Sequence, residues 1–496
     1  MKCRNVILAA ALAAAFATPA LAADRTLSTD IVVIGAGCGG TAAGEAAIEK
    51  GAKVIMLEKQ GITGGTCKFS EGIMAVESKM QRDWNYGLTK DQAFQMIMRY
   101  GHWRGNGRVV RTFVEKTAST IDWMQSNGVE FEKLFSNYPD GLYTWHIYKG
   151  RGAGWLAKYQ DRFVKQGGQL LLNTPATGLI QGKDGVVRGV IATEKDGSRL
   201  TINAKAVIIA TGGFGANKEM MQKYMRFPGV DGLAQTGKTG DGIQMAWKAG
   251  ADKDGTEVQA SYRPGPKGVG TTNQVAASAK QPHLWLNPHG DRFVDETVML
   301  EWPFAGNALE RNGGKMWVVY DSDTLNYMKT KGIDLGVGVM VPVATKLTKF
   351  DQEWGAAEAA GWAKRADTLD ELAAKTGMDP KLLKKNVDEY NGYADIRHDG
   401  LFAKSAKYLR PVRKAPFYAI QLVAASLGTL GGIKIDDKWE VVRPDGSAIK
   451  GLYAAGNDAG GMYGDSYDLL MAGSTIAWAV NGGRIAAESA VKYIGK

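Results

Sequence analysis

An α/β fold interrupted by a large insertion is predicted by three observations. A strand, a glycine-rich turn, a helix and a second strand follow one another between Thr29 and Lys59. Strand-and-glycine segments of the same style recur from 169 to 215 and again from Phe417 to the C-terminus. The stretch 258–415 between them has scattered short strands, a Lys-rich helical region and no such motif, which marks it as a separate inserted α+β domain. At 496 residues with 45% hydrophobic content, the chain is long enough for two or three domains with sizeable cores.

The first unit carries the most information. The apolar run Ile31-Val32-Val33-Ile34 leads into Gly35-Ala36-Gly37-Cys38-Gly39-Gly40, a small-residue helix follows, and the strand Lys53 to Leu57 ends on Glu58. This is a complete Rossmann-like dinucleotide-binding unit. Gly35 allows the tight turn, Gly37 lets the backbone approach a pyrophosphate, and Gly40 lets the helix pack on the sheet, with the phosphates on the positive helix N-terminus. Glu58, 18 residues beyond Gly40, is placed to accept hydrogen bonds from ribose hydroxyls. A bare glycine pattern is common in turns; the flanking strands, helix and acidic residue are what point to a bound dinucleotide.

Ahead of this unit, residues 1–22 read as a Sec signal peptide. Lys2 and Arg4 form the charged start, Val6 to Thr18 the apolar stretch, and Ala20-Leu21-Ala22 the small-x-small cleavage site. The apolar run falls short of the roughly 20 residues a membrane span needs, so an exported, periplasmic, non-membrane-spanning product is expected. The formal net charge is +10, with the basic residues scattered and without the basic-aromatic clustering of a nucleic-acid surface. Beyond the leader only Cys38 and Cys67 remain; two free, poorly exposed thiols are expected, with a disulfide the alternative in an oxidising compartment. There is no Cys-x-x-Cys-His for a c-type haem, and the five histidines show no metal-ligand spacing.

Further along, Gly61-Ile62-Thr63-Gly64-Gly65-Thr66 forms a second glycine-rich loop whose amides suit a pyrophosphate or ring system. Helical spacing of apolar residues predicts core-facing helices over 89–128. Strands are predicted at 170–172, 186–192, 200–202 and 206–210, with hairpin turns at Asp184-Gly185 and Asp196-Gly197. The last runs into Ala210-Thr211-Gly212-Gly213-Phe214-Gly215, and Gly240-Asp241-Gly242 opens a helix reaching Ala249. After the insert come Gly431-Gly432-Ile433, Gly451 to Asn457, and a final helix from about Ser474 to Ile494. The expected division is 1–22 leader, 23–257 first part of the dinucleotide-binding domain, 258–415 insert and 416–496 second part.

These motifs in this order resemble the flavoprotein family of fumarate reductases, succinate dehydrogenase flavoprotein subunits, urocanate reductase and 3-ketosteroid dehydrogenases. The resemblance implies FAD. Glu58 and Lys59 would serve the adenosine ribose; Ala36, Gly64, Gly65 and Thr66 the pyrophosphate; and Gly72, Ala176, Thr211, Gly212 and Gly213 further parts of the cofactor. Asp241 would act near the flavin end, and Asn457 stands where many relatives have Glu. Ser474, Thr475 and Ile476 would place a helix N-terminus beneath the flavin pyrimidine, where it stabilises the charge that develops on reduction. The insert would be the family's clamp, closing substrate away from water.

Three substrate-binding positions of the fumarate reductases are lost. Their His-Pro after Gln-Ala is Ser261-Tyr262 here, their proton-donating arginine falls near Leu300, and their His-Gly-Ala-Asn-Arg is Tyr463-Gly464-Asp465-Ser466-Tyr467. Tyr463 takes the place of the histidine, and Tyr467 that of a tyrosine which polarises a carbonyl in the ketosteroid enzymes. Either phenol could donate a proton or simply pack. Among the clamp arginines Arg263 and Arg311, the latter is the preferred substrate ligand or proton donor. The expectation is a reductase of an activated C=C bond, an enoate or enone other than fumarate, aromatic if Trp285 and Trp302 meet it. Its electrons would come from a separate cytochrome or quinol-linked donor. A ketosteroid-like dehydrogenase and a non-catalytic electron-transfer subunit are the alternatives.

Overall fold

The computed structural model describes residues 24–136, 141–233, 236–337 and 341–496; the signal peptide read at 1–22 lies outside them. The strand Arg25–Ile34 occupies the middle of the first sheet because Ile31 to Ile34 are apolar on both faces, as a strand covered by helices on each side must be. It pairs in parallel with Val54–Leu57 on one side (Ile31 opposite Val54) and with Arg199–Ile209 on the other (Val33 opposite Ile208). Gln169–Leu171 and Ala448–Ala454 extend the parallel order outward. The hairpin strands Ala176–Gln181 and Val187–Thr193 add an antiparallel flank to Arg199–Ile209. The helix Cys38–Glu49 packs against the last helix, Ser474–Tyr493, and both present small residues at the contact, including Gly39, Ala43 and Gly483. Among the described residues no helix is long and apolar enough to cross a membrane.

The insert is built on a second sheet whose centre is the 13-residue strand Phe417–Thr429. This strand pairs with Lys315–Tyr320, Ala363–Ala366 and Gln259–Gly265. Side chains alternate across the sheet: Met316, Val318 and Tyr320 enter one core with Trp285 and Ile420, while Trp317 and Val319 enter the other with Leu372, Leu383 and Ala419. The sequence boundary at 415/416 therefore moves. Residues 417–429 belong to the clamp sheet, and the chain returns to the first domain at Leu430–Ile433. A strand's apolar pattern states that it is buried, not which sheet buries it. Gln259–Gly265 and Phe417–Thr429, the strands that lead into and out of the insert, lie side by side, Gln259 opposite Thr429.

The Arg-Phe-x-x-Glu segment stabilises the clamp from within. Arg292 pairs with Glu296 (Nε to Oε1, 2.8 Å) and Asp399 (Nη2 to Oδ2, 2.6 Å), and Lys404 reaches Glu296 at 2.9 Å, all buried. Buried charges persist only when paired in this way.

Candidate active site

A cavity of about 660 Å³ runs between the two sheets. Its floor begins where the first strand meets Gly35, whose φ of +104° suits glycine and whose added Cβ would lie 2.4 Å from the Ala210 oxygen. A Cβ on Gly40 would lie 1.7 Å from the Gly35 oxygen, so helix and turn touch through bare backbone. Gly37 precedes the helix and faces open space within the cavity. The result is a helix N-terminus with uncapped amides, the site chemistry expects for a pyrophosphate. Glu58 accepts the Ala36 amide at 3.1 Å and the Gln60 amide at 2.9 Å and still lines the cavity, leaving each oxygen a lone pair for a ribose hydroxyl.

Gly64, Gly65, Thr66, Gly72 and Ala176 also face the cavity. The second glycine-rich loop is held by the Gly64 amide on the Ala36 oxygen (2.8 Å) and by a disulfide between Cys38 and Cys67. The expectation of two free thiols is thus overturned: the two glycine-rich loops bring the sulfurs together, a proximity that a spacing of 29 residues does not reveal. Asp241 also lines the cavity, its carboxylate accepting Lys59 Nζ at 2.7 Å.

Thr211, Gly212 and Asn457 line the cavity, while Gly213 lies behind it. What shapes this loop is Asp458, which sequence reasoning missed. One oxygen accepts the Gly213 amide at 2.8 Å; the other accepts the Gly212 amide at 3.1 Å, the Thr211 hydroxyl at 2.9 Å and the Thr211 amide. Lys238, buried beside it, lines the cavity as well, and burial pulls its ammonium down to about 8. At the far side, Gly473 opens the last helix, and Thr475 and Ile476 face the cavity while Ser474 is buried behind them. A second uncapped helix N-terminus therefore looks into the same space. Two amide-rich helix starts, a carboxylate with lone pairs to spare and two glycine-rich loops along one cavity fit FAD.

Tyr467 lines this cavity with its hydroxyl accepting the Gly473 amide at 3.3 Å; burial raises its pKa, so it is a neutral phenol with a proton to give. Tyr463 is not on the cavity surface. Its hydroxyl meets Ser474 Oγ at 3.0 Å and its ring stands 6.4 Å from that of Tyr467, which it supports from behind. Asp468, adjacent in sequence and 2% exposed, accepts the Leu470 amide at 2.9 Å, and burial pushes its carboxyl up to about 7.

The clamp contributes the opposite wall. Tyr262 and Trp302 meet edge to face at 4.6 Å, and the Arg263 guanidinium lies 4.2 Å over the Trp302 ring. All three line the cavity. Arg311 does not: it is exposed in the last turn of Trp302–Arg311, pointing away because that helix buries its other face. Trp285 is fully buried in the clamp core. Of the sequence candidates, the structure therefore brings Tyr467, Arg263 and Trp302 together and leaves Arg311 and Trp285 outside.

The family model described as an FAD binding domain matches residues 30–469. A vinyl phenol reductase of Lactiplantibacillus plantarum is 37% identical over 480 residues, covering 94% of this chain and 97% of that protein. A cytochrome fumarate reductase of Shewanella frigidimarina is 29% identical, over 96% and 79% of the two chains. The solved 3-ketosteroid Δ1-dehydrogenase of Sterolibacterium denitrificans superposes with a TM-score of 0.77 at 20% identity, over 94% and 99%. The cradle and these matches agree: the chain belongs to the FAD-binding domain family of flavoproteins, and FAD is its cofactor.

Proposed function

We propose that this FAD-dependent oxidoreductase reduces the C=C bond of an aryl alkene, with a vinyl phenol or a hydroxylated cinnamate as the substrate type. The observation that carries the reading is the wall formed by Tyr262, Trp302 and Arg263, which lines the same cavity as Tyr467. Flavin, when bound and reduced, supplies hydride to a carbon of the alkene. The chain's own residues do the rest. Trp302 and Tyr262 offer an aromatic surface that excludes water and orients a ring. Tyr467 holds a proton where the alkene lies and delivers it to the second carbon. The likeness to a vinyl phenol reductase supports an aryl alkene over a dicarboxylate. Against fumarate stand Leu300 and Tyr467 at the positions where the fumarate reductases place their arginines, and Ser261 and Tyr463 where they place histidines.

The same reading includes export and an external electron source. The N-terminal leader supports a periplasmic location, and the Cys38–Cys67 disulfide is consistent with an oxidising compartment. Electrons would then arrive from a separate cytochrome or quinol-linked donor, as suits anaerobic respiration, because the chain has no haem-attachment motif of its own. The test is anaerobic: protein reduced by viologen dye is offered 4-vinylphenol, hydroxycinnamates, urocanate, a steroid enone and fumarate. Rapid dye oxidation by the first two with fumarate inert supports the reading; oxidation by fumarate alone overturns it.

A further inference from the structure

We infer that Lys280 and Arg263 form a subsite for the ring oxygen of a phenolic substrate, in which Lys280 takes the phenolic proton. This rests on the reading of the protein as an aryl alkene reductase and goes beyond it by naming where the ring oxygen binds and what ionises it.

Lys280 caps the helix Gln274–Ala279 and is 3% exposed, yet it lines the cavity. Its side-chain end lies against Gly265, where an added Cβ would be 3.1 Å from Cε and 3.3 Å from Nζ. Gly265 ends the same strand that carries Tyr262 and Arg263. Among the described residues no acidic side chain pairs with Lys280; the charge that reaches it is that of Arg263, another cation. Arg263 is 2% exposed and donates to the Gly336 oxygen at 3.0 Å. A buried ammonium with no acidic partner is unfavourable unless an anion joins it. Burial first, and then the Arg263 charge, pull the Lys280 ammonium down to about 7, so near neutral pH a large fraction is uncharged and able to accept a proton.

A single-oxygen anion suits this geometry better than a carboxylate. Lysine is a point charge, whereas a carboxylate is matched by the two-armed guanidinium fork, one arm of which is already on Gly336 here. The chemistry asks for the same thing. An alkene conjugated only to a phenol ring is electron-rich and does not accept hydride as it stands. When the ring O–H bond breaks and its proton passes to Lys280 Nζ, while Tyr467 forms a C–H bond at the terminal vinyl carbon, the substrate becomes a quinone methide of the same composition. Two-electron reduction at its benzylic carbon restores the aromatic ring as a phenolate, which recovers its proton from Lys280, and solvent reprotonates Tyr467. The net change is one hydride and one proton added across the alkene. Tyr262, whose charge bears on Tyr467, is next in sequence to Arg263, and both line the cavity with Lys280.

The test uses FAD-loaded, oxidised protein and the product analogues 4-ethylphenol, 4-ethylanisole and 4-ethylbenzoate, followed by ultraviolet difference spectra that distinguish phenol from phenolate. The wild type is expected to bind 4-ethylphenol as its phenolate near neutral pH and to bind the anisole poorly. Lys280→Met should weaken 4-ethylphenol binding by about tenfold or more and abolish the phenolate signal, while Lys280→Arg, a fixed cation that accepts no proton, keeps the phenolate only with release of the proton to solvent. An unchanged signal in Lys280→Met overturns the subsite, as does Lys280 dependence confined to the benzoate. If Lys280→Met lacks normal flavin content or melting, the wild type alone decides: a bound phenol that stays neutral from neutral pH upward also overturns it. Dye-coupled turnover of 4-vinylphenol separates the two levels. Lys280-dependent phenolate binding without turnover would sink the reductase reading and leave the subsite; turnover without that dependence would do the reverse.

Discussion

The Asp458 carboxylate accepts the Gly213 amide at 2.8 Å and, through its other oxygen, the Thr211 hydroxyl at 2.9 Å, so one buried side chain sets the shape of the loop on which the flavin cavity rests. Asp458→Ala leaves the buried Gly213 amide, and the partly buried Thr211 and Gly212 donors beside it, without their acceptor, and a fully buried orphan costs about 1–3 kcal/mol. The expected outcome is a loss of roughly 3 kcal/mol in stability together with loss of bound FAD, with Asp458→Asn milder because one oxygen remains. Thermal unfolding and the flavin-to-protein ratio after gel filtration measure both. A variant that melts as the wild type does would show that the loop holds its shape unaided.

The Cys38–Cys67 disulfide closes a segment of 29 residues that includes the cavity-lining Glu58. Chain-entropy reasoning gives such a loop roughly 3 kcal/mol. Both cysteines line the cavity, so reduction should lower flavin affinity and melting temperature together. Cys38→Ser/Cys67→Ser protein, titrated with FAD by flavin fluorescence, checks this. If only the melting temperature falls, the bond stabilises the fold without shaping the cradle.

Tyr467 faces the cavity and Tyr463 stands behind it, so their hydroxyls are expected to matter unequally. Tyr467→Phe should lower kcat about a hundredfold with little change in KM, as loss of a proton donor does. Tyr463→Phe should cost severalfold at most, through the lost Ser474 contact. Arg311→Ala should leave both parameters as they are, since Arg311 is exposed outside the cavity. Steady-state kinetics with the best alkene of the dye assay decide, and a large fall in Arg311→Ala would return that residue to the site.

The cofactor half of this site was far more legible in the sequence than the substrate half, for a physical reason. Gly35, Gly40 and Glu58 act within one short βαβ unit, where backbone clearance forces residue type at fixed spacing. Asp458 left a weaker signal, an acid in the loop after the strand Ala448–Ala454, and only its contacts with 211–213, in the loop after the neighbouring strand, reveal it. Lys280, Arg263 and Tyr467 come from three separate segments, and nothing local distinguishes the buried Lys280 from the many solvated lysines. The same holds for the strand Phe417–Thr429, whose apolar residues announce burial but not the sheet that provides it.

The clamp should carry an acid transition traceable to Asp399. Burial opposes its ionisation, but the Arg292 guanidinium and the amides of Phe402 and Leu401 outweigh this and hold the carboxyl down to about 2. A carboxyl lowered on folding stabilises the protein fully above its unfolded value of 3.8, and that contribution fades as pH falls towards about 2, where folded protein also takes up the proton. Asp399→Asn removes this contribution at every pH and, by leaving Arg292 half-paired beside Glu296, should cost about 3 kcal/mol near neutrality. The gap between wild type and variant should then narrow as pH drops from about 4 to about 2. Urea unfolding at a series of pH values, followed by tryptophan fluorescence from clamp residues such as Trp285 and Trp317, measures that gap. A gap that stays constant through this window would mean that Asp399 titrates alike in the folded and unfolded chain, and the Arg292 pairing would lose its claim to hold the clamp together.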